Sequence, residues 1–158
     1  MPLDHSQLRA TLGRFASGVT ILTMRDADGR DHGMTATSFA SVSLEPPLIL
    51  VSVGHHASIA APLEHAQHFA VNILAGDQQL VSRAFATTDA ARFGGFSFAR
   101  GVGDVPVLVG AHAHLECRVQ ARYPGGDHTI IVGEVLASAL GDGEPLLYYR
   151  GIYGRFAP

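Results

Sequence analysis

The chain has 158 residues, of which 47% are hydrophobic and 16% charged, with a formal net charge of −3 at pH 7. A chain of this length predicts one domain over residues 1–158 that buries about two thirds of its unfolded surface. The composition argues against nucleic acid and membrane as partners, because there is no basic face and no apolar run near the roughly twenty residues that span a bilayer.

The composition also predicts where the protein works and how it associates. Cys117 is the only cysteine and cannot form an intrachain disulfide. No charged-then-apolar leader precedes the first predicted helix, so we expect a location in the reducing cytoplasm. A small domain with this hydrophobic content is expected to cover its remaining apolar surface by forming a homodimer.

The predicted elements begin with a helix and a β-hairpin. Leu8, Leu12 and Phe15 recur at the spacing of one helical face, which predicts an amphipathic helix near residues 6–15. Strands are then predicted on both sides of the turn-forming residues 26–29, a pattern typical of a hairpin.

The segment from Gly33 to Val53, GMTATSFASVSLEPPLILVSV, carries the clearest sign of a ligand site. Pro46 and Pro47 separate a hydroxyl-rich part from residues 48–53, which are predicted as a buried strand that is apolar on both faces. This layout suits a flat polar ligand along a sheet edge. The alternative is an edge strand whose hydroxyls contact only water, because threonine is a good strand former. The small hydroxyl residues are Thr35, Thr37, Ser38, Ser41 and Ser43.

Further strands are predicted at 69–74, 112–123 and 130–137. In the second of these, apolar and polar residues alternate, which predicts a core face with Cys117 and a solvent face. The solvent face carries His112, His114 and Glu116. A zinc ion needs convergent ligands and supporting partners, so we expect no metal site there. Cys117 is expected to be a buried structural thiol rather than a nucleophile.

Two short helices are predicted, one opening at Ser58 and one behind Asp77. The apolar side of the second is expected to hold Leu80, Val81, Ala84 and Phe85. Residues 87–105 are predicted as a long surface loop. Many strands, few helices and no βαβ alternation favour a mainly β fold, a closed or partly closed antiparallel barrel, over a Rossmann sheet. No GxGxxG, GxxxxGK, HExxH or GxSxG motif is present.

Several blocks in order resemble the flavin reductase family, which is built on the FMN-binding split barrel. They are the segment at 33–53, FAVNIL at 69–74, VSRAFA at 81–86, HLECRV at 114–119, GDHTIIVGEV at 126–135 and PLLYYRG at 145–151. The family comprises short NAD(P)H:flavin oxidoreductases that serve as reductase components of two-component monooxygenases. The resemblance covers about residues 8–155.

This resemblance implies a six-stranded antiparallel Greek-key split β-barrel with short helices, forming a homodimer with flavin near the subunit interface. It also implies a set of site residues. The flavin-contacting segment falls on Thr35, Ala36, Thr37 and Ser38, and the strand beside the flavin ring on Val51, Ser52 and Val53. The phosphate side falls on Ser58, Ser82 and Arg83, with Phe85 packing nearby; His128 matches the nicotinamide-side histidine, and Tyr149 and Arg150 lie near the nucleotide.

The implied reaction transfers hydride from C4 of NADH or NADPH to N5 of FMN or FAD, so the protein mainly stacks and tunes two cofactors. Backbone N–H groups near Thr37 and Ser52 are expected to stabilise the reduced ring. His128 is expected to guide the nicotinamide; the alternative is a strand-end histidine bonded to Asp127 or to backbone. His55 and His56 stand where many relatives carry a basic or amide residue, which leaves the choice between FMN and FAD open.

Three functions fit the residues to different degrees. The first is a flavin reductase that releases reduced flavin to a separate monooxygenase component. The second is a flavin-binding or storage protein without turnover, and the third, more remote, is an enzyme like pyridoxamine-phosphate oxidase on a related barrel. Catalytic bleaching of excess flavin by a pyridine nucleotide distinguishes the first from the other two.

Overall fold

A computed structural model describes all residues from Met1 to Pro158. The helices are α1 (His5–Leu12), α2 (Ala60–His65) and α3 (Gln79–Phe85), with 3₁₀ turns at Ala90–Gly95 and Val102–Asp104. The strands are β1 (Ser17–Gly18), β2 (Thr20–Arg25), β3 (Asp31–Ala36), β4 (Ala40–Leu44), β5 (Pro47–Gly54), β6 (His68–Ile73), β7 (Phe98–Arg100), β8 (Pro106–Leu108), β9 (Ala113–Gly125), β10 (His128–Leu140), β11 (Leu146–Tyr149) and β12 (Ile152–Arg155).

The main sheet is antiparallel and has seven strands in the order β3-β2-β6-β9-β10-β5-β4. Strands account for 47% of the chain and helices for 18%, which confirms the mainly β class. The expected six-stranded barrel needs correction. The edge strands β3 and β4 each pair with a neighbour on one side only, so the sheet does not close through hydrogen bonds. Two small sheets complete the fold: β1-β11-β12 and β7-β8.

The core is divided between the concave side of the main sheet and the C-terminal hairpin. One cluster of 12 buried residues joins β2, β5, β6 and α2, while a second of 8 residues joins β2, α3 and β11. Burial along β5 alternates, so Ile49, Val51 and Val53 are buried whereas the intervening side chains are half-buried. The strand is therefore apolar on both faces in sequence but buried on only one in this single chain.

A buried polar network fixes β8 against the sheet. The amide of Asn72, which is fully buried, donates to the carbonyl of Ile21 at 2.9 Å and to Oγ1 of Thr23 at 3.1 Å. Its carbonyl oxygen accepts the N–H of Leu108 at 2.8 Å, and the Thr23 hydroxyl donates to the carbonyl of Pro106. Each buried polar group thus has a partner, as burial requires.

The helices differ from the sequence expectation at their ends and faces. Helix α1 is shorter than predicted, and its apolar residues are exposed, with Phe15 just beyond it 84% exposed. Helix α2 begins at Ala60 with Ile59 as its N-cap and no side-chain cap, so Ser58 does not open it. On α3 the prediction was wrong for Leu80, which is 72% exposed.

The segment at 87–105 lies mostly at the surface, as predicted, but it contains two 3₁₀ turns and β7 instead of an irregular loop. Phe93 packs edge-on against Phe85 with ring centroids 4.9 Å apart, and Phe96 and Phe98 extend the cluster. Gly33 lies beneath it, where a Cβ atom would come within 2.8 Å of the Phe85 ring. The repeated phenylalanines in this glycine-rich segment were the sequence signal that could have predicted this packing.

The predicted solvent face of β9 is also partly covered. Glu116 accepts the N–H of Val102 at 2.6 Å, and Nε2 of His114 lies 3.3 Å from its other oxygen. On the opposite face Cys117 is buried, as predicted; burial, and secondarily the charge of Glu116, raises its pKa to about 12. The thiol therefore stays protonated and unreactive.

None of the helices has the length and apolar character needed to cross a bilayer.

Candidate functional site

The hydroxyl-rich segment runs along the end of β3 and the turn that follows. The hydroxyl of Thr35 donates to the carbonyl of Ser82 at 2.6 Å, which ties β3 to α3. Ala36 is buried, whereas Thr37 and Ser38 are exposed. The segment therefore presents two hydroxyl residues to solvent beside one that is engaged in structure.

Ser38 bridges this turn to β5. Its hydroxyl donates to the carbonyl of Ser52 at 2.7 Å and accepts the N–H of Ser52 at 3.2 Å. Successive residues of a strand direct their N–H groups to opposite edges, so Ser52 serves this edge while Val51 and Val53 pair with β10. The expectation that the Ser52 N–H is open to a ligand is corrected, because Ser38 already occupies it.

A cavity of about 210 Å³ brings together residues that are distant in sequence. Tyr148 and Tyr153 form one wall, with ring centroids 5.3 Å apart. The lining residues are Val19, Thr35, Thr37, Ser82, Ala86, Tyr148 and Tyr153. Three of the predicted site residues therefore meet two tyrosines that the sequence interpretation missed. A larger cavity, of about 430 Å³, lies between the β2–β3 turn and the end of α2 and contains none of the predicted site residues.

Helix α3 supplies the floor and one rim of this cavity. Ser82 is fully buried and its Oγ lies 2.8 Å from the hydroxyl of Tyr153, so it is shielded from direct contact with an external phosphate. Arg83 is exposed, with its guanidinium carbon 5.8 Å from the centroid of the Tyr153 ring. Phe85 is 1% exposed and belongs to the phenylalanine cluster, which corrects its expected place beside the ligand.

The predicted C-terminal residues lie away from the cavity. Tyr149 and Arg150 are absent from its lining, and the Arg150 guanidinium lies 6.0 Å from the Tyr149 ring. The backbone N–H of Arg150 donates to the carbonyl of Gly13 at 3.1 Å. The backbone of Arg150 thus joins the β11–β12 turn to the end of α1.

His128 lies at the C-terminal end of β5, on the side of the strand that pairs with β10, opposite Gly54. Its Nδ1 is 2.6 Å from Oδ1 of Asp127, and this hydrogen bond lowers the pKa of Asp127 below its usual value. Because a carboxylate only accepts, Nδ1 donates to Asp127, and Nε2 makes no hydrogen bond within the chain. Nε2 would lie 3.5 Å from a Cβ atom on Gly54, an ordinary van der Waals contact, so the ring packs beside the backbone at the end of β5.

The remaining predicted contact, Ser58, lies in the exposed turn between β5 and α2 with His55 and His56. The N–H of His55 donates to the carbonyl of Asp127 at 3.0 Å, which joins this turn to the loop that carries His128. Arg122 donates to the carbonyls of Leu63 and Ala66 and so satisfies the C-terminal end of α2. Arg83 does not line the 210 Å³ cavity, but its guanidinium lies over the ring of Tyr153, which does.

Residues 12–157 match the family described as "Flavin reductase like domain". The chain belongs to this family. Among flavin reductase-like proteins, it is 44% identical to the "FMN reductase (NADH) SmoA" of Agrobacterium fabrum, covering 98% of this chain and 87% of that protein. It is 40% identical to the "4-nitrophenol 4-monooxygenase/4-nitrocatechol 2-monooxygenase, reductase component" of Rhodococcus opacus, over 99% and 84% of the two chains.

A solved structure of this family has a closely similar fold. The Streptomyces globisporus NADH:FAD oxidoreductase SgcE6, described in complex with NAD and FAD fragments, superposes with a TM-score of 0.92. It is 40% identical, and the alignment covers 98% of this chain and 94% of that one. The expected family resemblance is thereby confirmed over nearly the whole sequence.

Proposed function

We propose that this protein is an NADH-dependent flavin reductase that supplies reduced FMN or FAD to a separate flavin-dependent monooxygenase component. The family match over residues 12–157 carries this proposal, and the names of the relatives support NADH as the donor and an oxygenase as the consumer. When bound together, the two cofactors supply the redox chemistry, in which hydride from nicotinamide C4 reduces flavin N5. The protein's task is to bind and orient them.

The residues of the site divide this task among the hydroxyl-rich segment, α3 and the start of β10. The flavin ring is bordered by the hydroxyl residues Thr35, Thr37 and Ser38. The hydrogen bond from Ser38 to the backbone of Ser52 holds this segment beside β5. Arg83, at the rim of the 210 Å³ cavity, provides positive charge for the phosphate end. A charge-assisted contact of this kind is directional and favours a phosphorylated ligand over a neutral one.

His128, on the β10 side of the C-terminal end of β5, is proposed to orient the nicotinamide. Asp127 holds its Nδ1, which fixes the tautomer and leaves Nε2 to accept a hydrogen bond, as from the carboxamide N–H of a nicotinamide. No proton has to be transferred in this role, because hydride moves between the cofactors. The pair therefore positions a ligand instead of acting as a base.

The assembly is proposed to be a homodimer of one domain, residues 1–158, in the cytoplasm. Leu8, Leu12 and Phe15 are exposed on and beside α1, and burying them in a second copy would remove this apolar surface from water. Cys117 is a free buried thiol, which is compatible with a reducing compartment.

The proposed activity predicts catalytic bleaching of flavin. Purified protein is mixed anaerobically with NADH and a large excess of FMN or FAD, and the visible flavin band is followed. We expect many flavin molecules to be reduced per protein molecule, with slower turnover when NADPH replaces NADH. Stoichiometric binding without turnover by either nucleotide would instead identify a flavin-storage protein.

A second prediction concerns Arg83. Arg83→Ala is expected to weaken FMN about tenfold, equivalent to about 1.4 kcal/mol, because an exposed charge-assisted contact is screened by solvent. Riboflavin, which has no phosphate, is expected to bind as before. Fluorescence titration measures both, with Arg30→Ala in the β2–β3 turn as a surface-arginine control. Equal loss for FMN and riboflavin would remove Arg83 from the phosphate end.

A further inference from the structure

We propose that Tyr153 presents the phosphate-binding hydroxyl of this cavity and holds Arg83 in place beside it, with Ser82 acting only through Tyr153. This inference rests on the proposed function, since it names a residue that recognises the phosphate of the flavin. It replaces Ser82 as the direct contact and adds a residue from the C-terminal hairpin.

The direction of one hydrogen bond carries the first step. Ser82 is completely buried, and the hydroxyl of Tyr153 is the only partner of its Oγ, at 2.8 Å. Either hydroxyl can donate in this pair. Because the buried Ser82 proton has no other acceptor in the chain, we assign Ser82 as the donor and Tyr153 as the acceptor. The proton of the half-buried Tyr153 hydroxyl is then left to be donated to a ligand in the cavity.

The position of Arg83 carries the second step. Its guanidinium lies over the Tyr153 ring at 5.8 Å from the centroid, within the range of a cation–π contact. An exposed arginine otherwise loses substantial side-chain entropy when it is ordered by a ligand. Tyr153 restricts that freedom in advance, so the aromatic ring contributes to binding even where it does not touch the phosphate.

The third step is the chemistry of the lining. The cavity wall contains hydroxyl groups, alanine, valine and tyrosine, and no aspartate or glutamate. A tyrosine O–H and a guanidinium are both donors to an oxyanion, and no carboxylate in the lining repels one. A phosphate ester is an oxyanion of this kind, and it is present in both FMN and FAD and absent from riboflavin.

The test separates the hydroxyl from the ring. Dissociation constants for FMN, FAD and riboflavin are measured by fluorescence titration for Tyr153→Phe, Tyr153→Leu and Ser82→Ala. Tyr153→Phe is expected to weaken FMN and FAD about fivefold, roughly the loss of one hydrogen bond, and riboflavin less than about twofold. Tyr153→Leu, which also removes the ring beneath Arg83, is expected to weaken FMN about twentyfold. The Ser82→Ala effect is expected to be smaller than that of Tyr153→Phe, because the Tyr153 hydroxyl remains.

A double-mutant comparison identifies the positioning role. If Tyr153 orders Arg83, adding Arg83→Ala to Tyr153→Leu is expected to cost much less than Arg83→Ala alone. Tyr123→Phe, an exposed tyrosine on β9, is the matched control, and thermal unfolding verifies that each variant is folded. If Tyr153→Leu does not fold, Tyr153→Phe still decides the hydroxyl role.

Two outcomes would overturn the inference. Equal weakening of FMN and riboflavin by Tyr153→Phe would make Tyr153 a structural residue, and a Ser82→Ala loss larger than that of Tyr153→Phe would make Ser82 the direct contact. Failure of the unchanged protein to bind any flavin would be different, because it would overturn the proposed function itself.

Discussion

His128→Ala is expected to lower kcat/KM for NADH by about 10- to 100-fold while the dissociation constant for flavin changes little. The reason is geometric: Asp127 orients the ring through Nδ1, so Nε2 is available to one ligand at a defined angle. Loss of a positioning contact lets the nicotinamide sample unproductive orientations, and such misplacement costs up to about 10²-fold. Steady-state kinetics with varied NADH, together with flavin titration of the variant, measure the two quantities separately.

The controls for this prediction come from the same chain. Asp127→Asn keeps the shape of the partner but offers a donor as well as an acceptor, so it is expected to give a smaller loss than His128→Ala. His65→Ala, an exposed histidine at the end of α2, is expected to leave the kinetics unchanged. Collapse of flavin binding with normal nucleotide kinetics would show that His128 belongs to the flavin site, and the nicotinamide role would be wrong.

Asn72→Ala is expected to destabilise the fold by about 3 kcal/mol. The substitution leaves the Leu108 N–H, the Ile21 carbonyl and part of the Thr23 pairing unsatisfied, and each buried polar group that loses its partner costs about 1 to 3 kcal/mol. For a chain of this size the midpoint of thermal unfolding should fall by roughly 6 to 12 °C.

Urea unfolding followed by circular dichroism measures this change. Gln120→Ala removes an amide from an exposed position on β9 and is expected to alter stability by less than about 0.5 kcal/mol. Thr23→Ser retains a hydroxyl for both Asn72 and the Pro106 carbonyl, so its effect should be well below that of Asn72→Ala. A change in Asn72→Ala no larger than in Gln120→Ala would mean that water replaces the lost partners without cost.

The strands were predictable because their signal is local. The alternation along β9 and the apolar runs of β6 and β10 each lie within one segment, and a β-strand with one buried face imposes that period directly. The buried position of Cys117 followed from the same alternation. The open sheet did not follow, because closure depends on which edges meet and not on any one segment.

The tyrosine wall shows why the site was harder to predict. Adjacent residues of a strand face opposite sides, so the choice between Tyr148 and Tyr149 depends on the register of β11 with its partners. In the structure Tyr148 lies opposite Tyr153 in the β11–β12 pair, and that pair faces the cavity. The family resemblance indicated the C-terminal segment, but only the strand pairing showed which tyrosine side chains line the cavity.

The bond between Ser38 and Ser52 was invisible for a related reason. Composition marks Ser38 as a hydroxyl near a ligand, but its partner is fixed by where β4 begins beside β5. Likewise, Ser82 lies in a recognisable block but is buried by Tyr153, which comes from a distant hairpin. Long-range packing determined which of the polar residues remain open.

The pairing of β1 with β11 has a consequence for the order of folding. Ser17 lies opposite Tyr148, so this contact closes a loop of about 130 residues, and contacts of such separation tend to form late. Every strand of the seven-stranded sheet precedes β11 in the chain, and that sheet does not use the hairpin in its hydrogen bonding. The tyrosine wall is therefore expected to dock on a sheet that already exists, and to be among the first parts to undock in local unfolding. Protection of the β11–β12 amides from hydrogen exchange should consequently rise when a flavin is bound, more than protection of β6 or β9.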